Sequence, residues 1–196
     1  MKLHLFPFSP NARKCLFVNA HLNLGAEIVV VDLPGGANKS EAFTALNPNQ
    51  KIPVLEMDDG ETLWESNAIV NCLAGMVDTP LWPKTNQRYD IGRWQFWEAA
   101  HLNPGCRPFA AKHIFKTEGI DTDAATPEFR KYLSVLDGHL EGRNWLSGDN
   151  MTTADVSVSA IFCLRHACHF PMEGFDNVAR WLAAIEATDA WKAANS

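Results

Sequence analysis

Ser9-Pro10-Asn11-Ala12-Arg13-Lys14 is the stretch on which the reading of this chain turns. It follows a short apolar run, Leu3 to Phe8, and opens an apolar-periodic segment from Lys14 to Leu24. Serine followed by proline is a helix start: the hydroxyl can cap orphan N–H groups, and proline suits the first helical position. A strand that feeds a helix through a tight turn is also where α/β proteins hold small molecules, at the carboxyl end of the strand. Residues 2–8 and 27–33 read as strands around a helix over 12–24 that Gly25 stops, which makes a βαβ unit. Ile28-Val29-Val30-Val31 is β-branched and unbroken, the pattern of a strand buried on both faces.

Outward from this unit, Pro34-Gly35-Gly36 breaks the pattern, and Ser40 to Leu46 predicts one or two helical turns. Asn47-Pro48-Asn49-Gln50 is turn chemistry. Ile52 to Met57 and Glu61 to Trp64 predict a hairpin closed by Asp58-Asp59-Gly60. Glu65-Ser66-Asn67 then opens a helix to about Met76, with Ser66 as its cap. Asp78-Thr79-Pro80-Leu81-Trp82-Pro83 ends that helix and reads as a linker, beyond which strand signals vanish.

A long helix is expected over about 86–115, carrying Trp94, Trp97 and His101 at i, i+3, i+7 and kinked by Pro104 and Pro108. A polar loop at 117–126 precedes a helix from about Pro127 to Glu141. Thr152-Thr153-Ala154-Asp155 is a capping box with Asp in place of Glu, starting a helix from Val156 to Cys168; another runs from Phe175 to Thr188. The expected order is an α/β domain of type βαβαββα over residues 1–77, a linker over 78–86, and an all-helical domain over 87–196.

The bulk composition narrows the function classes. With 196 residues and 46% hydrophobic content, a packed core is affordable, as one large domain or two small ones. The formal charge is −6, from 17 basic and 23 acidic residues, and no Lys/Arg run exceeds two residues, so no nucleic-acid partner is expected. No apolar stretch reaches the length of a membrane span and no signal-peptide pattern is read, so neither a membrane partner nor export is expected. Five cysteines, at 15, 72, 106, 163 and 168, form no framework; free thiols in a reducing cytoplasm are the expectation. Cys163-x-x-His166-x-Cys168-His169 holds zinc-ligand residue types, but contiguous helical positions point different ways, and no metal is expected.

Four stretches together resemble the glutathione S-transferase family across essentially the whole chain. They are Ser9 to Lys14; Asn47-Pro48-Asn49-Gln50-Lys51-Ile52-Pro53-Val54-Leu55; Leu63-Trp64-Glu65-Ser66-Asn67-Ala68-Ile69; and Leu146-Ser147-Gly148 followed by Thr152 to Asp155. The first stretch matches the serine-type branches, as in bacterial and plant tau- or theta-like enzymes. The resemblance implies a thioredoxin-like N-terminal domain, an all-α C-terminal domain, a cytoplasmic homodimer, glutathione as co-substrate, and a detoxifying conjugation of glutathione to small hydrophobic electrophiles. A peroxidase, isomerase or dehalogenase would use the same thiolate, and a non-catalytic relative with a binding or regulatory role would use the same fold.

The resemblance also implies site residues. Ile52-Pro53 would be the family's cis-proline turn, with the Ile52 backbone pairing the cysteinyl residue of glutathione like an added strand. Glu65 and Ser66 would grip the γ-glutamyl end, where a helix N-terminus favours a carboxylate. Lys51 and Gln50 would meet the glycyl carboxylate. Ser9 would donate to the thiol sulfur, with Asn11 as the other candidate activator. The only tyrosines, Tyr89 and Tyr132, fall in the helical half, and the Cys-x-x-Cys of dithiol oxidoreductases is absent from the turn. Cys15 reads as a buried small hydrophobe rather than a nucleophile. For the second substrate, Phe8, Trp97, His101, Arg107 and Phe109 are candidates, against the competing reading of an aromatic stripe as core or subunit interface.

Overall fold

The computed structural model describes residues 1–195. They form two compact units: Met1–Trp82 joined by the described residues from Thr188 onward, and Pro83–Ala187. The sequence expectation of a helical domain over 87–196 is corrected here, because the last helix belongs to the first unit, where it packs on the first helix.

In the first unit the order is β1 (Lys2–Leu5), α1 (Pro10–His21), β2 (Glu27–Val30), α2 (Glu41–Leu46), β3 (Val54–Glu56), β4 (Thr62–Trp64), α3 (Ser66–Gly75) and, from the chain end, a helix over Asp189–Ala194. The expected βαβαββα is present. The four-stranded sheet has the order β2-β1-β3-β4, with β1 parallel to β2 and antiparallel to β3. Leu3 and Leu5 of β1, Val54 and Leu55 of β3, and Ile69, Val70 and Leu73 of α3 are all wholly buried. Each such aliphatic side chain contributes roughly 1.5–3 kcal/mol of transfer free energy.

The strands are shorter than the sequence predicts, and β2 is not buried on both faces. Ile28 is 38% and Val30 62% exposed, since β2 pairs only with β1 and forms the sheet edge. Its β-branched run suits extended backbone without requiring burial. Only Val31, just past the strand, turns inward, onto Phe43 and Val54.

The second unit contains α4 (Gln87–Trp97), a π-helical turn (Glu98–Leu102), α5 (Asn103–His113), α6 (Thr122–Leu140), α7 (Thr153–Ser159), a 3₁₀ turn (Ala160–Leu164) and α8 (Asp176–Glu186). The remaining helix, Asp189–Ala194 of the first unit, is α9. The long helix predicted over 86–115 is thus divided. Pro104 cannot donate to the turn before it, and the π turn absorbs the break, with Asn103 N–H bonded to the Glu98 carbonyl.

Helix α6 begins five residues before the predicted Pro127. Asp121 caps it, accepting from the N–H groups of Asp123 (2.9 Å) and Ala124 (3.1 Å). The apolar segment predicted as one helix from Val156 to Cys168 is α7, which starts at Thr153, followed by the 3₁₀ turn and further turns. At the α5–α6 contact, a Cβ on Gly105 would meet the Tyr132 ring at 2.9 Å, so this close approach needs glycine. Among the described residues, no helix is long and apolar enough to cross a membrane.

Candidate functional site

The first unit gathers the motif residues at the N-termini of α1 and α3. After β1 the chain turns back through the Ser9 N–H to Phe6 carbonyl bond (2.9 Å), and Arg13 N–H returns to the Ser9 carbonyl (3.0 Å) to start the helix. The Arg13 guanidinium donates to the Pro7 carbonyl at 3.2 Å and holds the turn from the helix side. Ser9 occupies the cap position in extended backbone, with Pro10 inside the first turn, as the sequence predicts. Its hydroxyl makes no capping hydrogen bond, so it is not spent on the helix.

Ser66 departs from the prediction. It is the first residue of α3 and not its cap; Glu65 holds the cap position at φ 72°, ψ 111°. A left-handed φ in a residue with a long side chain costs on the order of 1–3 kcal/mol and persists only where the surroundings impose it. The exposed Glu65 side chain makes no capping bond to the helix, while its carbonyl accepts from Ile69 N–H at 3.0 Å. Ser66 Oγ is 3.3 Å from Asn11 Oδ1 and receives a bond of 3.3 Å from Lys14 Nζ, which also donates to Asn67 Oδ1 at 3.2 Å. The structure therefore brings Asn11 of the first motif and Ser66 of the third into one network. Neither helix has an acidic residue in its first turn, which leaves both N-termini open to an anion.

The remaining motif of this unit is the turn before β3. Ile52-Pro53 is cis. Asn47, 2% exposed, builds this turn: its Nδ2 donates to the Lys51 carbonyl (2.8 Å), and its Oδ1 accepts from Asn49 N–H (3.0 Å). Asn38 Nδ2 holds the Gln50 carbonyl at 2.8 Å, and Gln50, at φ 54°, donates its amide to Thr44 Oγ1 at 3.1 Å. Lys51 is exposed, Ile52 half-buried and Pro53 buried. Ladder pairing starts only at Val54, so the Ile52 peptide precedes the sheet. The sequence reading missed the scaffold of Asn38 and Asn47, whose side-chain reach cannot be read from turn propensity, and it missed Lys14.

Cys15 is wholly buried, and burial pushes its thiol up to about 12, with the Lys14 charge offsetting a part. Phe8 is 70% exposed and stands edge-on to Phe6, with ring centroids 5.5 Å apart.

The other candidates lie in the second unit. Trp97 is half-buried, in edge contact with Trp94 (5.3 Å) and Tyr132 (6.3 Å); His101 is exposed, 5.8 Å from the Tyr132 ring; Arg107 is exposed. Phe109 corrects the sequence expectation. It is 2% exposed and packs on Phe129 (5.2 Å) and Phe170 (5.7 Å), in the interior of the helical unit rather than open to a ligand. His166 and His169 are exposed while Cys168 is buried, and among the described residues no group of three His, Cys, Asp or Glu is arranged to hold a metal.

Comparison with known proteins agrees with this geometry. Residues 8–75 match the family model for the glutathione S-transferase N-terminal domain and residues 99–189 that for its C-terminal domain. Glutathione S-transferase 3 of Zea mays is 33% identical over 205 residues, covering 98% of this chain and 91% of the maize protein. The crystal structure of a glutathione S-transferase from Pseudomonas fluorescens superposes with a TM-score of 0.87 at 28% identity, covering 96% of each chain. That of a Pseudomonas putida glutathione transferase, with one glutathione disulfide bound per subunit, gives 0.85 at 26%, covering 100% of this chain and 90% of the other. The chain belongs to the glutathione S-transferase family, with the thioredoxin-like N-terminal unit and helical C-terminal unit of that fold.

Proposed function

We propose that the protein is a glutathione transferase that binds glutathione at the α1–α3 network, holds it as the thiolate and adds it to a small hydrophobic electrophile. The single observation that carries the reading is the junction of the first and third motifs: a serine hydroxyl not used for capping, and a second serine bonded to Asn11 and Lys14 at an open helix N-terminus. In this reading the γ-glutamyl carboxylate takes the Ser66 hydroxyl and the N–H groups of α3, and Glu65 pairs with the ammonium. The Ile52 peptide aligns the cysteinyl residue, and Lys51 faces the glycyl carboxylate; Gln50, with its amide on Thr44, offers chiefly its backbone.

Ser9 is the group assigned to the sulfur. An ordinary thiol has a pKa of about 8.5, so the reactive thiolate is scarce at neutral pH. Lowering it by about two units takes about 2.7 kcal/mol, within reach of one charge-assisted hydrogen bond beside a helix N-terminus. Exposed Phe8, next in sequence, offers apolar surface to the electrophile. The test is an ultraviolet titration of glutathione bound to the native protein. A thiolate appearing well below the free-thiol pKa supports the transferase; an unshifted titration leaves a non-catalytic binding protein.

The protein is further proposed to act as a homodimer in the cytoplasm. Tyr89 and Phe96 support the dimer: these aromatic side chains are 79% and 76% exposed, seven residues apart on one side of α4.

A further inference from the structure

We infer that Lys14 is a positioning residue of the γ-glutamyl subsite, a buried ammonium that fixes the Ser66 hydroxyl as a donor to the incoming carboxylate. The inference rests on the glutathione-binding reading above and assigns a role in it to the last residue of the first motif, to which the family resemblance gave none.

Lys14 is 2% exposed and ranks among the largest fully buried side chains. A lysine is rarely buried so completely, and its ammonium is tolerated only where it is hydrogen-bonded. Two of its bonds point at the start of α3: Nζ donates to Ser66 Oγ at 3.3 Å and to Asn67 Oδ1 at 3.2 Å.

The proton count then decides the rest. An ammonium has donors only, so Ser66 Oγ is the acceptor in that bond, and its single proton must point elsewhere. In this structure it faces Asn11 Oδ1 at 3.3 Å. That bond makes Oδ1 an acceptor and leaves the amide N–H₂ as the donating end of Asn11. A carboxylate arriving at the α3 N-terminus accepts the same Ser66 proton, which is more acidic for having an ammonium on its oxygen. Lys14 thus acts through Ser66 and adds an attractive charge behind it, without surface exposure that would let salt screen it. The same network joins the γ-glutamyl end to Asn11, two residues from Ser9.

The competing role is packing: a long aliphatic stem filling space between α1 and α3. The two roles separate in a cycle of one protein change and one ligand change. Glutathione and an analogue lacking only the γ-glutamyl α-carboxylate are titrated calorimetrically into the native protein and into Lys14→Met, which keeps the stem and removes the charge. Charge-assisted hydrogen bonds are worth roughly ten- to hundredfold in affinity. Glutathione affinity is expected to fall at least tenfold in Lys14→Met, the analogue's affinity to change less than threefold, and Lys14→Arg to restore most of the loss.

Equal losses for both ligands, or none for either, overturn the inference while native binding still upholds the glutathione site. Failure of the native protein to bind glutathione overturns both. If Lys14→Met does not fold, Lys14→Gln carries the same comparison, with the same expected and contradicting ratios.

Discussion

Ser9, Asn11 and Cys15 lie within two turns of one helix and have three different fates. Ser9 keeps its hydroxyl free of capping, Asn11 is tied to Ser66, and Cys15 is sealed in the core. The thiol of Cys15 illustrates the sign of a burial shift. Its folded pKa of about 12 lies above that of an exposed thiol, so the folded state holds the proton through neutral and mildly alkaline pH. Alkylation of the native protein between pH 7 and 9, followed by peptide mass spectrometry, is expected to leave Cys15 unmodified until the chain is unfolded. Rapid labelling of folded Cys15 would make it a competing nucleophile. At this scale the sequence was readable where structure is local: the Ser9-Pro10 pair marks the start of α1, whereas the cis bond at Ile52-Pro53 was expected only from the family resemblance and the cap of α3 falls on Glu65, not on Ser66. Lys14 was not readable, although Phe17 and Val18, its i+3 and i+4 neighbours, are buried apolar residues that place it on an inward face. What buries it beside Ser66 and Asn67 comes from α3, more than fifty residues away in sequence.

Among the elements, α7 shows how one side chain can organise a turn. Asp155 closes the capping box on Thr152, accepting from its N–H (2.8 Å) and hydroxyl (3.1 Å), and also accepts from Leu146 N–H (2.9 Å) and Trp181 Nε1 (2.9 Å). Burial raises its pKa, and the four hydrogen bonds pull against that rise. Asp155→Ala would leave buried donors without an acceptor at about 1–3 kcal/mol each, so a loss of about 3–5 kcal/mol is expected. Thermal unfolding should record it as a fall in Tm of about 10 °C or more. Asp155→Asn, which keeps one acceptor oxygen, should lose less. A Tm within two or three degrees of native for Asp155→Ala would show that the bonds contribute little. The box was legible because its two ends are three residues apart; the bonds to Leu146 and Trp181 depend on tertiary packing and were not. Similarly, Asp121 was hidden in a polar segment that reads as a loop, whereas β2 was over-read, since a run of β-branched residues marks a strand but not its place in the sheet.

For the whole molecule, the switch from strands to helices after Trp64 made the two-part organisation readable, while the return of α9 to the first unit carried no local signal. Assembly belongs to this scale too. Sedimentation is expected to find the native protein as two chains and Phe96→Glu shifted toward one; an unaltered dimer in a Tyr89→Glu/Phe96→Glu double variant would move the interface away from this face of α4. Transfer depends on the state of the sulfur, which a pH titration of thiolate absorbance reads for glutathione bound to the native protein, Ser9→Ala and Asn11→Ala. The expected result is a pKa about two units below the free thiol in the native protein, a return toward about 8.5 in Ser9→Ala, and a smaller rise in Asn11→Ala. An unshifted native pKa, or a Ser9→Ala titration that matches the native one, would contradict it.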